Sequence, residues 1–254
     1  RLQRRNMRSV HRQAQMGDCR NRKRHGHQRL QYLDLLQRRI KTLRSLSRLL
    51  EAQRFWLMIV MLDTSTDFDL CESELGVQVE QLFTPLTGLN PKRPNGRFGI
   101  DNGAFSKFNA EAFMRTLKKH EPRKNLCRFV AAPDVVGSAI RTLECFQRWS
   151  PKLTSWPIAL VCQDGQENLS IPWDEIDAIF IGGSTEWKIS RHAAAIVKAS
   201  KILGKWCHIG RINTPGRYEY FEELGADSCD GTGLAKYSHM RESIKRSIEN
   251  PKLL

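Results

Sequence analysis

From residue 55 onward, short apolar runs rich in β-branched and aromatic residues alternate with longer stretches whose apolar positions recur every three or four residues. The runs fall at 55–62, 97–101, 127–134, 157–163, 178–183, 206–211 and 226–231, and an eighth strand fits VQVEQLF at 77–83. Each has the length of a buried strand. Between them, Phe113, Leu117 and Lys118 belong to one predicted helix and 139–149 to another. The stretch STEWKISRHAAAIVKASKIL places Ile189, Ala193, Ile196, Val197 and Ile202 on one helical face. Thr214 before Pro215 reads as an N-cap and first-turn proline, opening a helix that Gly225 closes. Strands separated by helices predict parallel pairing, because each crossover needs a helix to return the chain to the same edge. The expected fold is therefore α/β, a compact (β/α)8 TIM-type barrel over residues 55–254, with a doubly wound open sheet as the alternative.

The first 54 residues follow a different rule. Residues 1–50 hold fifteen Arg or Lys against Asp18 and Asp34, so +13 of the chain's net charge of +14 lies there and the barrel region is nearly neutral. Residues 1–29 have almost no apolar periodicity and read as disordered. Leu33, Leu36, Ile40, Leu43, Leu46 and Leu50 then recur at helical spacing, with Arg38, Arg39, Lys41 and Arg48 on the polar face. A basic amphipathic helix of this kind can track phosphates. The competing expectation is a solvated arm, or sequence translated from upstream of the natural start, since the chain does not begin with Met and Met58 opens the first strand.

No stretch reaches the roughly 18 apolar residues that a bilayer span needs, so no membrane partner is expected. The seven cysteines include no CxxC pair, which reads as a reducing, cytoplasmic setting rather than a disulfide framework.

In parallel α/β folds the working residues lie at the carboxyl ends of the strands. Those ends supply Asp101, Asp134, Gln163 with Asp164, Gly182 with Gly183, Gly210 with Arg211, and Asp230. Three or more carboxylates and an amide converge without a His or Cys pattern of metal spacing, so no metal is expected. Paired carboxylates point to chemistry at an acetal-like carbon, one attacking or stabilising the carbon and the other moving a proton. Gly103, Gly182, Gly183 and Gly231 are read as leaving backbone open to a flat ligand. IGGSTEWK has a competing reading as a phosphate cradle at a helix N-terminus, although it lacks the GxxxxGKS and GxGxxG patterns. Asp227 rivals Asp230, Arg211 reads as a phosphate contact or a rim salt bridge, and His208 reads as a satisfied core residue.

IDNGAF resembles the Asp-Ser-Gly-Gly-Phe motif of tRNA-guanine transglycosylases. PDVVG, VCQDG, FIGGSTEWK and IGRINTPGRYEYFEELGADSCDG resemble, in order, the segments that follow it, over about residues 57–240. Their wording is most similar to the branch that places 7-deazaguanines in DNA. The resemblance implies a transferase, a pentosyltransferase that exchanges guanine for a 7-deazaguanine such as 7-cyano-7-deazaguanine through a covalent aspartyl-sugar intermediate. Asp230 matches the nucleophile and Asp101 the acid/base. Asp134 and Gln163 would bond the edge of the base, and the Gly182 and Gly183 amides its carbonyl oxygen. Asn102, Gly103 and Ala104 would leave room for sugar and base, with Phe105 packed beneath. DNA, and accessory modification proteins that open the duplex in a bacterial or phage-infected cell, are the implied partners.

The tRNA enzymes carry a structural zinc held by cysteines near the C-terminus, and no cysteine follows Cys229 here, so no cofactor is expected. Exchange in tRNA, a barrel hydrolase, and an inactive or non-enzymatic nucleic-acid-binding relative are the alternatives.

Overall fold

The computed structural model describes residues 57–63, 67–87 and 90–250. The basic arm and its amphipathic helix lie outside these residues. Eight parallel strands close into a barrel in sequence order: β1 (Ile59–Leu62), β2 (Val79–Phe83), β3 (Phe98–Ile100), β4 (Cys127–Ala131), β5 (Ile158–Cys162), β6 (Ala178–Ile181), β7 (Trp206–Ile209) and β8 (Ser228–Asp230). The last pairing sets Met61 opposite Asp230 and Ile59 opposite Ser228, so β8 meets β1 and no edge is left. This is the expected barrel, and VQVEQLF does supply its second strand.

Alternation within each strand sorts the core into two layers. Met61, Leu82, Phe129, Ala131, Ala159, Val161, Ala178 and Phe180 fill the barrel interior. Val60, Leu62, Phe83, Ile100, Leu160, Ile179, Ile181 and Ile209 face outward against the helices. The helices are α1 (Phe68–Leu75), α2 (Ala110–His120), α3 (Ala139–Trp149), α4 (Thr185–Lys188), α5 (Arg191–Ile202), α6 (Pro215–Glu223), α7 (Thr232–Lys236) and α8 (Ser238–Glu249). Asp67 caps α1 by accepting from Asp69 N and Leu70 N, and Asn109 caps α2 by accepting from Ala112 N. The glutamate of α1 at Glu74 accepts from Arg241 and Ser238 of α8, clasping the first and last helices of the barrel together. Among the described residues, none of these helices is long and apolar enough to cross a membrane.

Two expectations about helices change. The stretch read as one helix from Ser184 is two, because the Ser190 side chain caps a new helix by accepting from Ala193 N. The break turns the supposed apolar face apart: Ala193, Ile196 and Val197 are buried, whereas Ile189 is 52% and Ile202 62% exposed. Thr214 does stand at the N-cap of α6, but its side chain makes no capping bond there, and Pro215 and Gly225 (φ 84°) set the ends.

The floor of the barrel is polar. Glu80, 3% exposed at its side chain, takes both Nε and Nη2 of Arg128, and the guanidinium lies over the Trp206 ring at 4.5 Å. Removing the carboxylate strands a charge beneath the core. Glu80→Ala is expected to cost about 3 kcal/mol of stability, read as a shift in the urea midpoint.

Candidate active site

The carboxyl ends of the strands open into one pocket of about 240 Å³. Asp101, Gly103, Asp134, Gln163, Gly182, Gly183, Arg211 and Asp230 all line it, as do Asp63 at the end of β1 and Phe105. Asp164 does not.

At the end of β3 the chain turns on its own side chains. Asp101 Oδ1 accepts from Gly103 N at 2.8 Å, and Asn102 Oδ1 accepts from Ala104 N at 2.7 Å. The second of these bonds spans Gly103, whose φ of 75° lies in a region closed to most side chains. Burial pushes the Asp101 carboxyl up to about 7, with the charges of Asp230 and Asp134 adding to the rise and the Gly103 N–H opposing it.

Asn102 is more than a small turn residue. Buried, it donates to Ala132 O at 2.8 Å and to Asp134 Oδ1 at 2.9 Å. Gln163 Nε2 donates to the other oxygen of Asp134 at 2.6 Å, while Gln163 Oε1 accepts from Gly137 N and Gly183 N, each at 3.0 Å. The pocket wall is thus a braced carboxylate and amide. Burial raises the Asp134 pKa, and the bonds from Asn102 and Gln163 pull against that rise.

The glycines and amides behave differently from the expectation. Gly182 N donates to Cys162 O and Gly183 N to Gln163, so both amides expected to meet a ligand's carbonyl are engaged within the chain. Their missing side chains make room for protein: a Cβ on Gly182 would stand 2.7 Å from Gln163 Nε2, on Gly183 2.4 Å from the Trp187 ring, and on Gly231 2.0 Å from Ile212 O.

The turn of IGGSTEWK holds an anion, but it is the chain's own. Ser184 N and Oγ donate to the two oxygens of Asp164 at 2.7 and 2.6 Å. Burial works against the Asp164 charge, the Ser184 bonds outweigh it, and the pKa falls. Asp164 is therefore a brace for the start of α4 rather than a ligand contact. Asp164→Ala should destabilise the fold by about 1–2 kcal/mol in chemical denaturation, from two lost hydrogen bonds to Ser184.

At the end of β8, Asp230 is fixed at both oxygens. Oδ1 accepts from Arg211 N at 3.1 Å and Oδ2 lies 3.0 Å from His208 Nε2. Arg211, at φ 62°, is the non-glycine residue with a left-handed backbone among those described. Its guanidinium donates to Gly183 O and lies 4.9 Å from the centre of the Phe105 ring. Phe105 is 69% exposed at the pocket rim, because that guanidinium and the pocket, not the core, are its neighbours. The rival Asp227 pairs with Lys201 and accepts from Cys207 N at 2.7 Å, before β8 begins and away from the pocket.

Asp63 is not among the sequence-based candidates, Asn102 is expected only to leave room, and His208 is expected only to fill the core. Alternation carries a signal for two of them: Asp63 shares the inward parity of Ile59 and Met61, and His208 that of Trp206 and Gly210. No group of three or more His, Cys, Asp or Glu side chains among the described residues is placed to hold a metal ion.

No protein-family model and no curated protein matches the chain. Among solved structures, it is similar to a flavocytochrome b2 mutant (12% identity, TM-score 0.43, covering 76% of this chain and 62% of that one). It is similar also to a tryptophan synthase complex from Pyrococcus furiosus (13%, 0.42, 76% and 95%) and to Aspergillus clavatus Sph3 solved with GalNAc (12%, 0.39, 73% and 97%). At such scores the likeness carries no argument about chemistry, and the barrel rests on its own strand pairing.

Proposed function

We propose that the chain is a base-exchange transglycosylase that replaces guanine in DNA with a 7-deazaguanine. The observation that carries this reading is that Asp101 and Asp230 line one pocket in opposed settings. Asp101 is pushed up to about 7 and so holds a proton near neutrality. Asp230 accepts from a backbone N–H and faces an imidazole nitrogen. One acid that can give a proton and a second whose oxygens are held by Arg211 N and His208 at the same mouth can divide the roles of proton donor and nucleophile.

In the proposed reaction an Asp230 oxygen bonds to C1′ as the C1′–N9 bond breaks, and that electron pair leaves on guanine with the proton of Asp101. The incoming deazaguanine returns a proton to Asp101 as its nitrogen bonds to C1′ and the ester C–O bond breaks. Two inversions retain configuration. The braced pair Asp134 and Gln163 presents acceptors and a donor to the edge of the heterocycle. A sugar carbon inside a stacked duplex cannot reach a barrel mouth, so the target nucleotide must be flipped out or single-stranded.

The test uses DNA and tRNA labelled in guanine, each with and without 7-cyano-7-deazaguanine. Label released from DNA beyond one guanine per protein only when the deazaguanine is present is the expected result. Release from tRNA alone would move the substrate to tRNA, repeated turnover without the deazaguanine would make the protein a hydrolase, and release from neither polymer overturns the proposal.

A further inference from the structure

The floor of the barrel and the pocket are connected by an unbroken line of polar side chains, which is unusual for an interior otherwise filled by Met61, Leu82, Phe129, Val161 and Phe180. Trp206 Nε1 lies 2.9 Å from Ser228 Oγ, Ser228 Oγ lies 2.8 Å from His208 Nδ1, and His208 Nε2 lies 3.0 Å from Asp230 Oδ2. Arg128 and Glu80 anchor the lower end through the Trp206 ring. The pairing of β7 with β8 sets His208 directly opposite Ser228.

The proton positions follow from the donor inventory. A carboxylate only accepts, so the His208 nitrogen that faces Asp230 Oδ2, Nε2, carries a proton and donates it. In the tautomer with its proton on Nε2, Nδ1 holds the lone pair and accepts from the Ser228 hydroxyl. Ser228 Oγ in turn accepts the indole N–H of Trp206. His208 is fully buried and its ring lies 4.8 Å from Phe129 and 4.6 Å from Phe180, so it cannot turn to another partner without opening the core.

We infer that His208 is a positioning residue for Asp230: Ser228, itself held by Trp206, meets the Nδ1 lone pair, and the Nε2–H on the other side of the ring fixes which face of the carboxylate meets the pocket. The kinetic part of this inference rests on Asp230 being the nucleophile, as proposed above; the tautomer does not. With the Arg211 amide on the other oxygen, both Asp230 oxygens are tied before any ligand arrives. A nucleophile held in its attacking geometry avoids the loss that about 1 Å of misplacement brings.

Two measurements on the full chain test it. Nitrogen-15 NMR of histidine-labelled protein is expected to show His208 as the neutral Nε2–H tautomer. Its proton signal should move in Asp230→Asn, and its Nδ1 signal should move in Ser228→Ala, which removes the hydroxyl that meets the Nδ1 lone pair. An Nδ1–H tautomer, or a signal indifferent to Asp230→Asn, overturns the inference whether or not the protein exchanges bases. In exchange kinetics, His208→Leu should lower kcat on the order of 10²-fold with KM within about twofold, and His208→Gln, whose amide can still donate to Asp230, should recover much of the loss. Equal losses in both variants, or a loss carried in KM, would make His208 a packing residue only.

Discussion

Asp230→Asn is expected to lower the rate of base exchange by at least about 10³-fold, because an amide cannot form the ester bond to C1′ that the proposed reaction passes through. The substitution keeps the size of the side chain but not its bonding. The carboxylate offers acceptors to both Arg211 N and His208 Nε2. An amide offers one acceptor and sets its own N–H₂ against the other donor. A stability loss of about 1–2 kcal/mol should therefore accompany the change. That loss is small enough for the variant to remain folded, and parallel single-turnover kinetics and urea denaturation separate the two effects. An Asp230→Asn protein that exchanges bases at the wild-type rate would remove Asp230 from the chemistry.

Asp101→Asn should produce an opposite pairing of effects, a slower enzyme and a more stable protein. As proton donor, Asp101 must be protonated, and its carboxyl is pushed up to about 7. The exchange rate should then fall as pH rises above about 7, and Asp101→Asn should abolish that dependence while lowering the rate about 10²- to 10⁴-fold. Stability follows from the same pKa. The unfolded carboxyl titrates near about 3.9. Between roughly pH 4 and 7 the folded protein holds a proton that the unfolded chain has lost, so stability declines as pH rises through this window and levels off above it. Asparagine carries no charge to bury. The variant should match the wild type near pH 4 and exceed it at pH 8 by up to about 4 kcal/mol, as read by urea midpoints at the two pH values. A variant that is no more stable at pH 8 would mean that Asp101 is ionised without strain in the folded pocket.

The barrel was legible because its signal is local. Each strand is a short apolar run, and all eight runs contain a strand of the structure. The helices were less legible where burial is thin. α1 buries only Phe68, Cys71 and Leu75. α8 buries Arg241 and Ile244, and Arg241 is an interior residue because Glu74 of α1 and the Leu234 carbonyl receive it. No periodicity announces such a contact.

The candidate site shows the same division between what is local and what is not. The strand ends alone located eight side chains or glycines around one mouth, Gly210 among them, without reference to any partner residue. They failed at Asp164 because two adjacent residues at a strand end point to opposite faces. Val161 and Gln163 share the inward parity, whereas Asp164 turns to Ser184. His208 was read as a core residue, and by burial it is one. What the sequence alone could not supply is its register against Ser228 and Asp230, twenty and twenty-two residues later, which makes a core histidine the support of a pocket carboxylate.

The account depends on a bond between an Asp230 oxygen and a sugar carbon, and peptide mapping reads that bond directly. The protein is mixed with guanine-containing DNA, stopped with denaturant before turnover is complete, digested and analysed by mass spectrometry. The predicted result is a deoxyribose-linked peptide with the modification on Asp230, formed by the wild type and absent from Asp230→Asn. A wild-type protein that releases guanine while its adduct lies on another residue, or forms none, would contradict the account.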